Sequence, residues 1–301
     1  MAVSAKMVKD LREKTSAGMM DCKKALQETN GDMDAAVDWL RTKGIAKADK
    51  KASRVAAEGL VAMAVDGSAG ALVEVNSETD FVSRNEQFQT VVKEIADTAL
   101  RASSSDELAA ADLASTGKSV TDSMKDLVGT IGENMNFRRM ERLDVDGGVV
   151  TGYIHNAVAP GMGKIGVLVG IEGDKPAAEM EELAKKIAMH VAATNPLSLS
   201  VDDLDAAVVS KEREMLKAEA LESGKPESIV DKMVEGRMQK FFKESVLMTQ
   251  AFVMDPDRTV EQVAKDAGVT LAGYRRMVLG EGIEKVEEDF AAEVAKTAQG
   301  K

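Results

Sequence analysis

The chain has 301 residues, 44% of them hydrophobic but only 3% aromatic, and its 18 methionines supply much of the apolar bulk. At that length two or more packed units are expected, and a core of aliphatic and pliable side chains favours helices. A formal net charge of −12 repels phosphate backbones and argues against direct nucleic-acid binding by the molecule as a whole. The single Cys22 excludes an internal disulfide, no apolar run is long enough to span a bilayer, and the start Met1-Ala2-Val3-Ser4-Ala5-Lys6 lacks a signal-peptide core. A cytoplasmic protein without a membrane partner is therefore expected.

From Ser4 to about Lys43 the spacing predicts three short helices, carrying Met7, Val8 and Leu11, then Cys22, Ala25 and Leu26, then Val37, Trp39 and Leu40. Thr15 to Gly18 and Thr29 to Asp32 are the breaks. Residues 1–45 thus read as a three-helix bundle, marginal alone and suited to presenting a face to a partner, which resembles the ubiquitin-associated type of domain. Met19 and Met20, beside Lys9, Arg12 and Lys23, are either core fillers or an adaptable surface. Residues 46–57, with Lys47, Lys50, Lys51 and Arg54, are expected to be a basic linker, as solvated chain or as an exposed helix.

Gly59 to Val65 and Ala71 to Val75 predict a hairpin with a loop somewhat longer than the tight types, followed by a helix from Asn85 to Leu100. Between them lies the stretch Glu74-Val75-Asn76-Ser77-Glu78-Thr79-Asp80-Phe81-Val82-Ser83. Ser83 and Glu86 fit a capping box, and Val82 is placed for the hydrophobic staple, which leaves Phe81 free to bury or to protrude. A core phenylalanine beside a solvated Asp80 and an exposed apolar contact are both open. Helical stretches continue to Ile131, and Phe137 to Val145 turns strand-like.

The pattern recurs in Gly148 to His155 and Ile165 to Ile171, a second hairpin, with a helix from Ala178 to Ala193. Strands with helices on one side are the α+β pattern, here a core of two similar subdomains with small antiparallel sheets, 58–145 and 146–201 with 247–282. Residues 202–246 predict a helical hairpin broken at Ser223 to Pro226, with Leu204, Val208, Met215 and Leu216 on one apolar side and Ile229, Met233, Val234 and Phe241 on the facing helix. A strand from Tyr274 to Leu279 and a C-terminal helix module, 283–301, complete the chain.

No residue set supports enzyme chemistry. Gly161-Met162-Gly163-Lys164 resembles the end of a phosphate loop, but Ile165 stands where Ser or Thr must reach magnesium. His155 and His190 lack zinc spacing, and no nucleophile motif occurs, so neither metal nor cofactor is expected. His190 on an apolar helix is expected to be a satisfied structural residue.

Leu11-Arg12-Glu13-Lys14-Thr15-Ser16-Ala17-Gly18-Met19-Met20-Asp21-Cys22-Lys23-Lys24-Ala25-Leu26, together with Glu74 to Ser83, closely resembles the two signatures of the elongation factor Ts family, and similar stretches run from near Val8 to about Val294. The resemblance implies a guanine nucleotide exchange factor whose partner is elongation factor Tu. It would bind the GDP-bound form, promote release of GDP and magnesium, and hold the nucleotide-free form until GTP binds. It also implies that Thr79, Asp80, Phe81 and Val82 displace nucleotide and magnesium. Supporting contacts would come from Lys9, Arg12, Met19, Met20, Lys23, Ile131, Gly132, His155, Val253 and Met254. In the family the helical hairpin protrudes as a coiled-coil arm, which here is a candidate surface for a homodimer or a second partner; a helical pair lying on the sheet is the other reading of the residues. A static adaptor, docking through the bundle without altering nucleotide affinity, is the alternative that the residues leave open.

Overall fold

The computed structural model describes residues 3–15, 17–223 and 226–284, and the side chains of all of these except 45–47, 49, 227 and 228. The expected C-terminal helix, apart from its first two positions, lies outside the described residues. Three helices open the chain: α1 (Ala5–Thr15), α2 (Met19–Glu28) and α3 (Met33–Lys51). Asp32 caps α3 by accepting from the amides of Asp34 and Ala35 at 3.0 and 2.9 Å. Val8, Leu11, Cys22, Ala25, Leu26 and Ala36 form the bundle's core. Each fully buried leucine there contributes roughly 1.5–3 kcal/mol.

The expected linker 46–57 is corrected by α3, which continues as helix through Lys51 and lies against α6 (Val120–Ile131). The crossing is close because two glycines meet. A Cβ on Gly129 would stand 2.8 Å from the Cα of Gly44. Ala48 is buried in the larger core cluster, so the second half of α3 belongs structurally to the core rather than to a tether.

Strands β1 (Glu58–Asp66) and β2 (Ala69–Ser77) pair antiparallel with Asp66 opposite Ala69, leaving the two-residue turn Gly67-Ser68. This is a tight hairpin, shorter than expected, because pairing extends past Val65 and Ala71 on both strands. After α4 (Glu86–Ala99) and α5 (Ser105–Ala110) come a small ribbon, β3 (Asp112–Leu113) with β4 (Lys118–Ser119), then α6 and β5 (Met135–Asp144). The second subdomain supplies β6 (Gly148–His155), β7 (Met162–Gly163), β8 (Ile165–Glu172), α7 (Ala177–Thr194), β9 (Ala251–Phe252), β10 (Asp255–Thr259), α10 (Val260–Asp266) and β11 (Thr270–Val278).

The first sheet runs β5-β2-β1-β7 and the second β11-β8-β6. Alternation along the strands shows how they stack. Leu60, Ala62, Ala64, Ala71, Val73 and Val75 face one cluster with Phe88, Val92 and Ile95 of α4. Val61 and Leu72 face the opposite way and join Val150, Leu168 and Met277 in a cluster between the sheets. Val167, Val169 and Ile171 then face Ile187 and Val191 of α7. The order is helices, sheet, sheet, helices, an α+β architecture. The Gly-Met-Gly-Lys stretch has no free phosphate-loop backbone, because Met162 and Gly163 pair with Ala62 and Val61 of β1. None of the described helices is long and apolar enough to cross a membrane.

Helices α8 (Ala206–Glu222) and α9 (Glu227–Ser245) form the hairpin. Their shared cluster of Leu216, Ala220, Val230, Val234 and Met238 is separate from the subdomain cores. Its seam on α8 is Val209, Leu216 and Ala220, at coiled-coil spacing. Val208, Met215 and Ile229 were placed on the inner side from sequence, yet they are exposed, because one residue along a helix turns the side chain by about 100°.

Candidate functional site

The turn after β2 carries the feature that needs explanation. Phe81 is 80% exposed while its neighbour Val82 is 3% exposed and belongs to the main core cluster. An aromatic side chain is thus left almost wholly in water beside a buried aliphatic one. Of the two open readings of Phe81, burial is excluded. Val82, expected to take part in displacement, is corrected to a core anchor of the turn, since it presents no surface to a partner.

The expected capping box is also corrected. Residues Val82–Arg84 form a 3-10 turn, and α4 starts later with Asn85 as its cap, accepting from the amides of Gln87 and Phe88 at 2.9 and 3.1 Å. Ser83 turns back instead and donates through Oγ to the Asp80 carbonyl at 2.6 Å. That carbonyl also accepts from the Ser83 amide at 3.2 Å, and the Phe81 carbonyl accepts from the Arg84 amide at 3.1 Å. Ser77 Oγ donates to the Thr79 carbonyl at 2.8 Å. The backbone on both sides of the Asp80-Phe81 pair is thus occupied, while the Asp80 carboxylate has no hydrogen-bond or ion-pair partner among the described residues and is exposed.

Beneath the turn two carboxylates are exchanged between loops. Glu133 accepts from the Thr79 amide at 2.9 Å and from Thr79 Oγ1 at 2.8 and 3.0 Å. Glu78 reaches the other way, accepting from the Asn134 amide and pairing with Arg54 at 3.3 Å. Asn134 Nδ2 donates to the Arg54 carbonyl at 2.7 Å, and Lys51 donates to the Gly132 carbonyl. Gly132 ends α6 in the left-handed region at φ 92°, where a Cβ would be strained, and so sends Glu133 back toward the turn. Ile131 is half-buried against the core. Ile131 and Gly132, expected as supporting contacts, are both half-exposed beside this network, while Glu78, Glu133, Arg54 and Lys51 were missed. The available signal was the pairing of two acid-containing loops, 77–79 and 131–134, but nothing in one sequence joins them.

The other expected contacts are exposed but lie apart from the turn. Met19 and Met20 are 58% and 74% exposed at the start of α2, with Lys9, Arg12 and Lys23 also exposed on the bundle. His155 is exposed at the end of β6, with Nδ1 3.2 Å from Tyr153 Oη. Val253 and Met254 are exposed at the tip between β9 and β10. That tip is set by His190, which is fully buried. Its Nδ1 accepts from the Val253 amide at 3.2 Å, and its Nε2 lies 2.9 Å from Gln250 Oε1. Burial pushes the His190 imidazole below its ordinary value, only partly opposed by the Gln250 bond, so it serves as a neutral strut.

Among the described residues no three of His, Cys, Asp and Glu converge as a metal-binding group. Exposed apolar side chains thus stand on the bundle, on the turn and at the tip. A family model described as Elongation factor TS matches residues 78–281. Proteins named elongation factor Ts from Paracoccus denitrificans strain Pd 1222 and Ruegeria sp. strain TM1040 are each 58% identical over 300 residues, covering 100% of both chains. The one from Parvibaculum lavamentivorans is 56% identical over 305 residues, covering 99% of both. The chain belongs to the elongation factor Ts family, exchange factors of translation elongation.

Proposed function

We propose that this chain is the guanine nucleotide exchange factor of elongation factor Tu. It binds the GDP-bound form, drives out GDP and magnesium, and holds the nucleotide-free form until GTP binds. The observation that carries the reading is the 80% exposure of Phe81 beside an unpartnered acid on a braced turn. An apolar wedge moves packed helices between discrete arrangements, and a carboxylate nearby disfavours the magnesium and phosphate geometry. Thr79 holds the base of the wedge. By linkage, the factor by which the chain prefers nucleotide-free partner is the factor by which it weakens nucleotide. Met19, Met20 and their basic neighbours, His155, and Val253 with Met254 supply docking area away from the nucleotide. Release of fluorescent GDP from elongation factor Tu, with and without the chain, tests this reading. An adaptor would leave the release rate unchanged.

The bundle and the arm separate in the same assay. A chain starting at Lys43 keeps Gly44, Ala48 and Lys51, and with them the packing of α3 on α6. It is expected to fold by circular dichroism and to bind elongation factor Tu severalfold or more weakly. An unchanged dissociation constant would remove the bundle from the docking surface. Deleting Leu204 to Lys240 and bridging the ends removes a cluster that packs on itself. GDP release is expected to stay largely intact, whereas its collapse in a cooperatively melting variant would assign the arm to the exchange surface.

A further inference from the structure

We infer that Glu133 is a positioning residue for exchange, acting through Phe81. The inference rests on the wedge reading above. The hydrogen bonds from Ser77, Ser83 and Arg84 are all made within the segment 77–84. They fix the shape of the turn but not its direction relative to the rest of the molecule. Direction is set by what leaves the segment: after Phe81 these are Val82 in the core and the Ser83 carbonyl, which accepts from Gln89 Nε2 at 2.8 Å, and before Phe81 they are hydrogen bonds to the loop after α6. At Thr79, two residues before Phe81, those bonds go to Glu133, which lies 54 positions along the chain. Both donors of Thr79, the amide and the hydroxyl, are spent on that one carboxylate, a bidentate clasp that resists rotation as well as translation. Glu133 is in turn held by its neighbours. Asn134 is fastened to Glu78 and Arg54, Gly132 to Lys51, and Lys51 is the last residue of α3.

Phe81 itself makes no packing that would keep it outward. An apolar ring with 80% of its surface in water gains by folding down onto any nearby apolar surface, a gain proportional to the area it covers. The Glu133 clasp opposes that collapse before a partner arrives. Holding the contact group in its bound geometry in the free protein is what removes the ordering cost from the step that follows. The same clasp fastens the wedge to the end of α3, the helix whose other end belongs to the bundle.

The test uses the full chain and elongation factor Tu loaded with fluorescent GDP, with release rates measured to saturation in exchange factor. Glu133→Ala is expected to lower the maximal rate about tenfold and to change the half-saturating concentration less, since the docking surfaces on bundle and tip are untouched. Glu133→Gln keeps one acceptor oxygen for Thr79 and is expected to recover part of the rate. The double variant Glu133→Ala with Phe81→Ala is expected to be no slower than Phe81→Ala alone, because a residue that acts through another adds nothing once that other is gone. Should Glu133→Ala fold poorly, Thr79→Val, which removes the hydroxyl donor and keeps the volume, carries the same expectation in weaker form. A maximal rate unchanged in Glu133→Ala, or a double variant slower by the product of the single effects, overturns the inference while leaving the wedge in place. A Phe81→Ala variant with full activity overturns the wedge reading and the inference with it.

Discussion

Replacing Phe81 by alanine is expected to leave the melting temperature of the free chain nearly unchanged and to slow GDP release from elongation factor Tu at least about tenfold. A core phenylalanine would behave in the opposite way, since Phe→Ala in a packed interior costs roughly 3–5 kcal/mol of folding stability. At 80% exposure there is little packing to lose, and surface changes usually fall within about 0.5 kcal/mol. The loss appears instead in the complex, where truncating an apolar anchor can cost about 2 kcal/mol or more and each ~1.4 kcal/mol is a factor of ten. Asp80→Asn should do less, because it removes charge but keeps shape and hydrogen-bonding capacity. Its effect should shrink further when magnesium is withdrawn from the assay, since part of the acid's role is then already performed. A Phe81→Ala chain that melts several kcal/mol less stable and exchanges normally per folded molecule would end the wedge mechanism.

Local patterning made most of this fold legible. The helical spacing of Val8, Leu11, Cys22, Ala25 and Leu26 predicted the bundle's core, and these residues form it. The two hairpins, each followed by a helix, were visible because strand runs and turn residues alternate on a short scale. What local patterning could not report was direction and distance. Ser83 and Glu86 satisfied a capping pattern, yet a 3-10 turn intervened and Asn85 took the cap, because Ser83 had a better acceptor in the Asp80 carbonyl. Val82 and Phe81 are adjacent and both apolar, and only the packing of the turn over α4 decides which is buried. The basic run after Gly44 suggested a solvated linker, but Lys51 and Arg54 are spent on the loop beneath the turn, a contact between segments about 80 residues apart. Val208 and Met215 followed the same logic on the arm, where an error of one residue moved the apolar seam.

The largest expected effect on stability comes from a residue that the sequence presents as an ordinary strand position. Glu74 is fully buried in β2, where an isolated carboxylate would be prohibitive. It is matched by a bulge in the β2–β5 pairing between Glu74 opposite Arg139 and Val75 opposite Phe137. On a regular strand Arg138 and Arg139 would point to opposite faces, but the extra residue lets both reach the same acid. Arg138 Nη1 lies 3.0 and 3.1 Å from the two carboxylate oxygens and Arg139 Nε 2.6 Å from one of them. The Gly280 amide donates at 2.8 Å and Asn76 Nδ2 at 3.0 Å. Arg138 and Arg139 continue to the carbonyls of Glu281 and Val278, so the acid ties β2 and β5 to the end of β11 in the other subdomain. Glu74→Ala is expected to destabilise the chain by about 3–5 kcal/mol, because it leaves two arginines and an amide without their acceptor. Thermal melting would show this as a fall of about 10 °C. Exchange per folded molecule, measured below both melting points, should change far less, since Glu74 faces no partner. Burial pushes the Glu74 carboxyl upward, but the bonds from Asn76, Gly280, Arg139 and Arg138 together outweigh it and hold the group below the ordinary carboxylate value. A lowered folded value means that the stabilisation is fully present above the ordinary carboxylate range and is lost as pH falls through the folded value. The stability difference between the natural chain and Glu74→Gln should accordingly be level near neutrality and shrink only in acid. A difference that instead grows as the pH is lowered would mean that Glu74 is held protonated, and that the two arginines are paired elsewhere.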